Sequence, residues 1–467
     1  MTDEHPGLST EPVAPKQRIL TTFDITQLWF GAAISIGEIW GGGLAPLTAL
    51  GLGLGLIAIV CGRIVGNGLM AAMARSGAET GLPTLVLTRP AFGIRGSYIP
   101  AFLNMLQLIG WTGWMLFATY LYLNIVAGFL GLPSGDSVPA MRFVWIILLG
   151  VLCTLWAWGG SRFWKAAQRV STILLLLLTL AMTAVVLLKY DVRALWGQAA
   201  GTPLQALGAA DLVIAMSVSW LPLVADYSRY AVKGRAGATG TFWGYFVGGV
   251  WMYAVGLLVA LATHTGTPDN MVLSVMSGQG FAWALAAILL VLLSTVTTTF
   301  LDIYSTVVSA QNLLPRLPAR MSNVVAGALG TVIALTLNVF GYQPFLLAIG
   351  AVFLPAFTVV LVDHYVVRRQ QVHTARITER GGPYWYLGGY NWRAIVAWIA
   401  GFAVYDWAQG FSSINALGGA FRLKLTATPW TSGASIPCIL VSAAVYLLLA
   451  YAFRTGEPAV APVEMSN

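Results

Sequence analysis

Phe30-Gly-Ala-Ala-Ile-Ser-Ile-Gly-Glu-Ile-Trp-Gly-Gly-Gly-Leu-Ala-Pro46 sets a carboxylate, Glu38, inside an apolar run that continues on both sides. At the centre of a bilayer such a group costs about 2.5–3.5 kcal/mol on insertion scales, so it must face a partner or a polar cavity. The glycines and Pro46 loosen the helical ladder around it. A lipid-exposed helix does not tolerate that unless neighbouring protein replaces the lost partners. The stretch therefore predicts a broken membrane span around a buried polar site, with the break at Gly37 to Gly43.

The rest of the chain agrees with a membrane setting. Of its 467 residues 58% are hydrophobic and 9% charged, with mean hydropathy +0.77. Soluble domains carry roughly 25% charged residues. Apolar runs of about 20 residues, the length that crosses a hydrocarbon core, recur at 23–51, 53–74, 97–129, 143–158, 166–189, 209–230, 239–263, 282–309, 322–340, 344–366, 392–411 and 434–452. They are numbered here as spans 1 to 12. Cys61, Cys153 and Cys438 all fall inside them, without metal-ligand spacing. The polar first 20 residues hold no apolar core of a signal peptide.

A net charge of +8 raises nucleic acid as a partner, but the placement of the basic residues explains it better. With the N-terminus in the cytoplasm and twelve alternating spans, the inner side receives Lys16, Arg18, Arg75, Arg89, Arg95, Arg162, Lys165, Arg169, Arg229, Lys233, Arg235, Arg316, Arg320, Arg368, Arg369, Arg376, Arg380, Arg393 and Arg454. The outer side receives only Arg142, Lys189, Arg193, Arg422 and Lys424, and Arg63 lies within span 2. That is the positive-inside distribution. It predicts an inner-membrane protein with both termini cytoplasmic and a lipid bilayer, not nucleic acid, as its surroundings.

Span 6, Asp211 to Tyr230, carries Ser217, Ser219 and Pro222 at mid-depth. Broken spans five apart are what an inverted repeat of spans 1–5 and 6–10 produces, with freed backbone groups holding substrate and ion near the midplane. Gly and Pro are also common in membrane helices that merely kink. Span 8 adds Ser294-Thr-Val-Thr-Thr-Thr-Phe-Leu-Asp-Ile-Tyr304. Its hydroxyls suit a hard cation such as Na⁺, although such groups also serve as packing contacts between membrane helices. Span 3 contributes Gln107-Leu-Ile-Gly-Trp-Thr-Gly-Trp114. There Trp111, with Trp220 of span 6, is placed to stack on a flat ring, and Gln107 offers an amide donor and acceptor.

These pieces, in order, resemble the nucleobase:cation symporter family of cytosine, hydantoin and allantoin permeases over nearly the whole chain. The resemblance rests on Phe92-Gly-Ile-Arg-Gly-Ser-Tyr-Ile-Pro100, Gly110-Trp111, Ala225-Asp-Tyr-Ser-Arg-Tyr-Ala231, Pro355-Ala-Phe-Thr-Val-Val-Leu-Val-Asp-His-Tyr-Val-Val-Arg-Arg369 and Gly389-Tyr-Asn-Trp-Arg-Ala-Ile-Val-Ala-Trp398. It implies an all-α polytopic fold with a leucine-transporter-type 5+5 inverted repeat and two C-terminal helices. The divisions would be a cytoplasmic tail at 1–20, repeats at 21–190 and 205–370, added helices at 385–453 and a second cytoplasmic tail at 454–467. It also implies cation-coupled import of a small nitrogen heterocycle. The cation site would comprise the carbonyls of Ile34, Gly37 and Ser294 and the hydroxyls of Thr297 and Thr298. The substrate site would comprise Trp111 as the stacking ring with Gln107, Ser217, Ser219 and Trp220 at its edges.

The family places neutral polar groups near Glu38 and Asp302, where this chain has carboxylates. Carboxylates accept hydrogen bonds from exocyclic amines and pair with protonated ring nitrogens, so both join the substrate site. Phe300-Leu-Asp-Ile-Tyr304 is similar to the bacterial hydroxymethylpyrimidine permeases, which makes that aminopyrimidine the favoured substrate. Cytosine, hydantoin or allantoin, or an amino acid on the same fold, are the alternatives. For Glu38 an ion pair with Arg63 is the competing role. The coupling ion is Na⁺, or H⁺ carried on Glu38 or Asp302. Asp226 with Arg229, and Asp363 with Arg368 and Arg369, read as structural pairs, and Asp406 as a packing or assembly contact. An enzyme would need a nucleophile with its base or a metal cluster, and the spans hold no His/Cys grouping or catalytic serine motif; a channel would be expected to show a ring of pore-lining charges or a filter motif in an oligomer.

Overall fold

Span 1 opens at Thr21, whose hydroxyl accepts the N–H of Asp24 while the Asp24 carboxylate accepts the Thr21 N–H in return. This capping box starts a helix, Thr22–Ala33, that stops well short of the far side. Ile34 (ψ 82°) and extended Ser35 (φ −140°, ψ 156°) interrupt it, and a second half-helix runs Ile36–Gly42. Ser35 caps that half, accepting the Glu38 N–H at 3.3 Å. The break therefore lies at Ile34–Ser35, not at Gly37 to Gly43 as the glycines led us to expect. Gly37, Gly41 and Gly42 are helical, and at Gly42 the glycine serves close packing. A Cβ there would overlap the backbone carbonyl of Tyr253, and one at Gly256 would overlap that of Ile39. Spans 1 and 7 thus meet backbone on backbone, the approach that small residues allow in membranes.

Span 6 breaks where Pro222 directs. Its first half, Pro203–Val218, gives way after Ser219 and Trp220 to a tight turn, Leu221–Leu223, and a short second half, Val224–Ser228. Continuous helices occupy span 2 (Gly51–Thr80), span 3 (Tyr98–Phe129), span 4 (Ala140–Trp158), span 5 (Gly160–Lys189), span 7 (Gly234–Thr263) and span 8 (Phe281–Leu313). Span 9 (Ala319–Thr336), span 10 (Tyr342–Val362), span 11 (Trp392–Ala408) and span 12 (Ser435–Ala452) complete the set. This computed structural model describes residues 10–158, 160–196, 201–267, 281–314, 316–418 and 425–453. The tail segments 1–9 and 454–467, with Arg422, Lys424 and Arg454, lie outside the described residues, as do the side chains of Arg162, Lys165 and Arg169. Among the described residues eight helices are long and apolar enough to cross a membrane. The all-α polytopic membrane fold is the one observed.

Two groups of helices organise the molecule. Spans 1, 2, 6 and 7 pack on one another, and spans 3, 4, 8 and 9 form a second set. Span 12 packs on spans 10 and 11, tied to span 6 by Asp211. The Asp211 carboxylate accepts the N–H groups of Ala434 (2.6 Å) and Ser435 (2.9 Å), capping span 12, and the Gln409 amide at 2.9 Å. Asp406 accepts from the N–H of Ser413 (2.8 Å) and of Ile414 (3.3 Å), capping the helix that follows span 11. Asp363 pairs with Arg368 at 2.8 Å and accepts from the Tyr446 hydroxyl. Asp226 interacts electrostatically with Arg229 and also accepts the Thr84 N–H at 3.0 Å, holding the loop after span 2 to the second half of span 6.

Candidate substrate and cation site

The breaks in spans 1 and 6 face span 3 and span 8 across one small cavity. Its walls are Ser35, Gly37 and Glu38 from span 1, Trp111 and Met115 from span 3, Met216 and Trp220 from span 6, and Thr298 and Asp302 from span 8. The cavity volume is about 10 Å³, on the order of one water. Trp111 also joins the cavity to an aromatic cluster. Tyr342 stacks on Trp40 (4.1 Å, 13°) and meets Trp111 and Trp114 edge-on, while its hydroxyl donates to the Gly37 carbonyl at 2.8 Å.

The two carboxylates of this cavity differ in electrostatic state. Glu38 is paired with Arg63 of span 2 and also accepts a hydrogen bond from Tyr245 of span 7. Arg63 is wholly buried, lies over the rings of Tyr245 and Tyr253 (4.8 and 4.7 Å to the centroids) and donates to Ser217 at 3.2 Å. Ser217 donates in turn to Asn67 at 2.9 Å, and the Trp220 indole donates to the Tyr245 hydroxyl at 2.6 Å. One network therefore joins spans 1, 2, 6 and 7. The Glu38–Arg63 pair, read from the sequence as the competing role, is present, although Glu38 also lines the cavity. Asp302 is equally buried, but its Oδ2 has no hydrogen-bond partner among the described residues.

Of the other residues expected at the substrate, Trp111 and Trp220 line the cavity. Ser217 belongs to the arginine network behind the wall. Ser219 returns its hydroxyl to the Met216 carbonyl at 2.6 Å, and its own carbonyl accepts the Gln107 amide at 2.7 Å. Gln107 also donates to Asn104 at 2.9 Å, so it braces span 3 against the span 6 break. Met115 and Met216 escaped the sequence reading. They stand four residues after Trp111 and four before Trp220, the spacing that puts side chains on one helix face. Nothing in the sequence marked Tyr342 or Tyr245.

The residues expected at the cation divide between two places. Ile34 and Ser294 lie together on a mostly apolar cleft with Ser35, Ile36, Ile39, Met252, Leu290 and Val291. Gly37 and Thr298 line the main cavity. Thr297 donates back to the carbonyls of Leu293 (2.8 Å) and Ser294 (3.1 Å), leaving its lone pairs available, and the Thr298 hydroxyl has no partner among the described residues. The donor set, carbonyls at a helix break and neutral hydroxyls, is chemically suited to a monovalent hard cation.

Two broken spans enclosing a buried polar cavity between two packed helical groups are the architecture of a membrane transporter. Residues 12–427 match the family described as permease for cytosine/purines, uracil, thiamine, allantoin, and the chain belongs to this family of nucleobase:cation symporters, which are transporters and not enzymes. It is 27% identical to the cytosine permease of Escherichia coli (strain K12) over 415 residues, covering 85% of this chain and 88% of the relative. To the hydantoin permease of Microbacterium maritypicum it is 21% identical over 448 residues, 91% and 89% of the two chains. Its fold is similar to that of Mhp1, a nucleobase-cation-symport-1 family transporter, in a closed conformation with bromovinylhydantoin bound. The TM-score is 0.76 at 18% identity, over 95% of this chain and 96% of that one.

Proposed function

We propose that this permease imports an aminopyrimidine, hydroxymethylpyrimidine in particular, by cation symport with alternating access. The observation that carries this reading is Asp302. It is a buried carboxylate with an unpartnered oxygen, in a cavity walled by two tryptophans. A flat ring stacked on Trp111 would offer its exocyclic amine to that oxygen, and a charge-assisted hydrogen bond of this kind is among the strong ones. Hydantoin, uracil and allantoin present more carbonyls to the same edge. Glu38, Gln107, Ser217, Ser219 and Trp220 complete the proposed substrate shell, with Glu38 acting through its Arg63 pair as much as on the ligand. Cytosine also carries an exocyclic amine, and the relative from Escherichia coli is a cytosine permease, so cytosine is the second reading.

The coupling ion in this proposal is Na⁺, held by the carbonyls of Ile34, Gly37 and Ser294 and the hydroxyls of Thr297 and Thr298. The repeats span 21–190 and 205–370, with added helices at 385–453. The chain resides in the inner membrane with cytoplasmic tails at 1–20 and 454–467. A cavity of about 10 Å³ admits a heterocycle only if its walls part, which is what rocking one helical group against the other would provide. Uptake at fixed pH tests the ion: transport indifferent to Na⁺ but driven by a pH gradient selects H⁺ instead.

Thermal stabilisation of the purified protein by hydroxymethylpyrimidine, cytosine, uracil, hydantoin and allantoin, each with and without Na⁺, tests the substrate. A ligand at 100 times its Kd stabilises the folded state by about 2.7 kcal/mol. A shift with hydroxymethylpyrimidine, lost in Asp302→Asn, is the expected result. A shift with hydantoin or allantoin alone would overturn the aminopyrimidine reading.

A further inference from the structure

Buried oxygens of Thr298, Thr299, Asp302 and Gln311 on span 8 have no hydrogen-bond partner among the described residues, and of these Thr298 and Asp302 line the cavity. Hydroxyls along this helix return to carbonyls one turn earlier: Thr297 to Leu293 at 2.8 Å, Thr306 to Asp302 at 2.7 Å and Ser309 to Ser305 at 2.7 Å. Thr298 does not follow them. Its hydroxyl is buried without a partner among the described residues, and it lines the same cavity as Asp302, whose Oδ2 is equally unpartnered. The two residues stand four apart on one uninterrupted helix, so their side chains are neighbours about 5–6 Å apart at Cβ. Across the cavity are Ser35, Gly37 and Glu38, at the break in span 1.

Charge sharpens the pattern. The other carboxylate here, Glu38, is compensated by Arg63, whereas no basic side chain among the described residues forms an ion pair with Asp302. A carboxylate buried without a counter-charge is strongly unfavourable. Positive charge arriving at the Thr298 hydroxyl would relieve it, and so would N–H donors arriving on the ring side.

We propose that Asp302 is the coupling residue of this transporter, the group through which cation and heterocycle raise each other's affinity. Its carboxylate strengthens cation binding at Thr298 one turn away and, so compensated, stays charged to accept the N–H groups of the substrate. Because linkage is reciprocal, each ligand must improve the other's binding by one shared factor. This rests on the cation-symport reading above and adds the residue that performs the coupling. Unit charges about 6 Å apart at an effective dielectric of about 20 change an affinity by about 100-fold. Removing the Asp302 charge should therefore weaken Na⁺ binding by about 10- to 100-fold.

The test is a Na⁺ titration of the purified protein with no heterocycle present, read as the midpoint of Na⁺-dependent thermal stabilisation. It is followed by the Kd of hydroxymethylpyrimidine and of cytosine with and without Na⁺. Asp302→Asn should raise the Na⁺ midpoint about 10- to 100-fold and bring the ratio of the two Kd values towards one. Asp302→Glu should recover part of both effects, and Thr298→Val should raise the midpoint alone. If Asp302→Asn does not fold, Asp302→Glu carries both readouts and Thr298→Val the midpoint. A wild-type Na⁺ midpoint in Asp302→Asn, or in both substitutes for it, would overturn the proposal while leaving the symport reading intact. A wild-type protein that no concentration of Na⁺ stabilises would remove the sodium reading itself, and this proposal with it.

Discussion

Replacing Arg63 with methionine removes the positive member of a buried ion pair and leaves Glu38 facing Tyr245 alone. Arg63 has no exposed surface, so solvent cannot rescue the remaining charge. Breaking such a pair from one side costs about 3–5 kcal/mol, largely through the stranded charge. The contacts of the guanidinium with the rings of Tyr245 and Tyr253 add to this, while methionine retains much of the packing volume. The arithmetic changes when Glu38→Gln is added. The glutamine carbonyl still accepts the Tyr245 hydroxyl, Ser217 keeps Asn67 as its acceptor, and the remaining cost is that of an imperfectly bonded neutral amide, about 1–3 kcal/mol. The double variant should therefore be more stable than Arg63→Met alone by roughly 2 kcal/mol.

The assay is reversible SDS-induced unfolding of the protein in mild detergent, run as a double-mutant cycle on Arg63→Met, Glu38→Gln and their combination. Two residues in direct contact must show non-additivity if the pair is what holds them. Additive losses, or a loss below about 1 kcal/mol for Arg63→Met, would refute the account of Glu38 as a charge held by span 2. Glu38 would then have to be explained by the ligand alone.

Trp111→Ala, which also opens a cavity beside Tyr342 and Phe345, should weaken binding of flat heterocycles by about 10- to 100-fold, the worth of one base–aromatic stack; isothermal titration of the folded variant with cytosine and hydroxymethylpyrimidine measures it. Gly42→Ala places a methyl group against the Tyr253 backbone and should destabilise by about 1–3 kcal/mol or more, seen as lower melting temperature and yield. Asp211→Ala removes the cap of span 12 and the Gln409 contact and should cost about 1–2 kcal/mol, whereas Asp211→Asn, which keeps an acceptor, should cost less in the same SDS assay.

Much of the fold was legible because a membrane helix is written in length and hydropathy, and a broken one in the residues that break it. Pro222 located the span 6 break directly. The glycines of span 1 misled because glycine has two uses, interrupting a helix and letting another backbone come close. In Gly42 the second use prevails. The better signal was Ser35-Ile-Gly-Glu38, the spacing of a helix start. Its serine does cap the second half-helix, but its glutamate turns away to Arg63 instead of returning to the cap. The pairing itself was readable as an option, since an arginine within a span must find a partner. Which partner it finds depends on the rotation of spans 1 and 2 about their axes, and hydropathy does not fix that. The same rotation sent Ser217 into the arginine network and left Trp220, three residues on, at the cavity.

Rotation also decides what the two carboxylates can do. Glu38 is bonded to spans 2 and 7 and so moves with the group of spans 1, 2, 6 and 7. Asp302 stands on span 8, in the opposing group. A charge compensated within its own group gains or loses nothing when the groups separate. An uncompensated charge on one wall is different, because whatever satisfies it from the other side also holds the walls together. If the two groups rock, the free energy of closure therefore depends on the ligands that meet Asp302, and that dependence is absent at Glu38. Moving the asymmetry should move the coupling: Arg63→Met, by freeing Glu38, should make the Na⁺ midpoint of an Asp302→Asn background lower than that of Asp302→Asn alone. A second uncompensated carboxylate then faces the same cavity. An unchanged midpoint would mean that position on span 8, and not uncompensated charge, is what couples the ion.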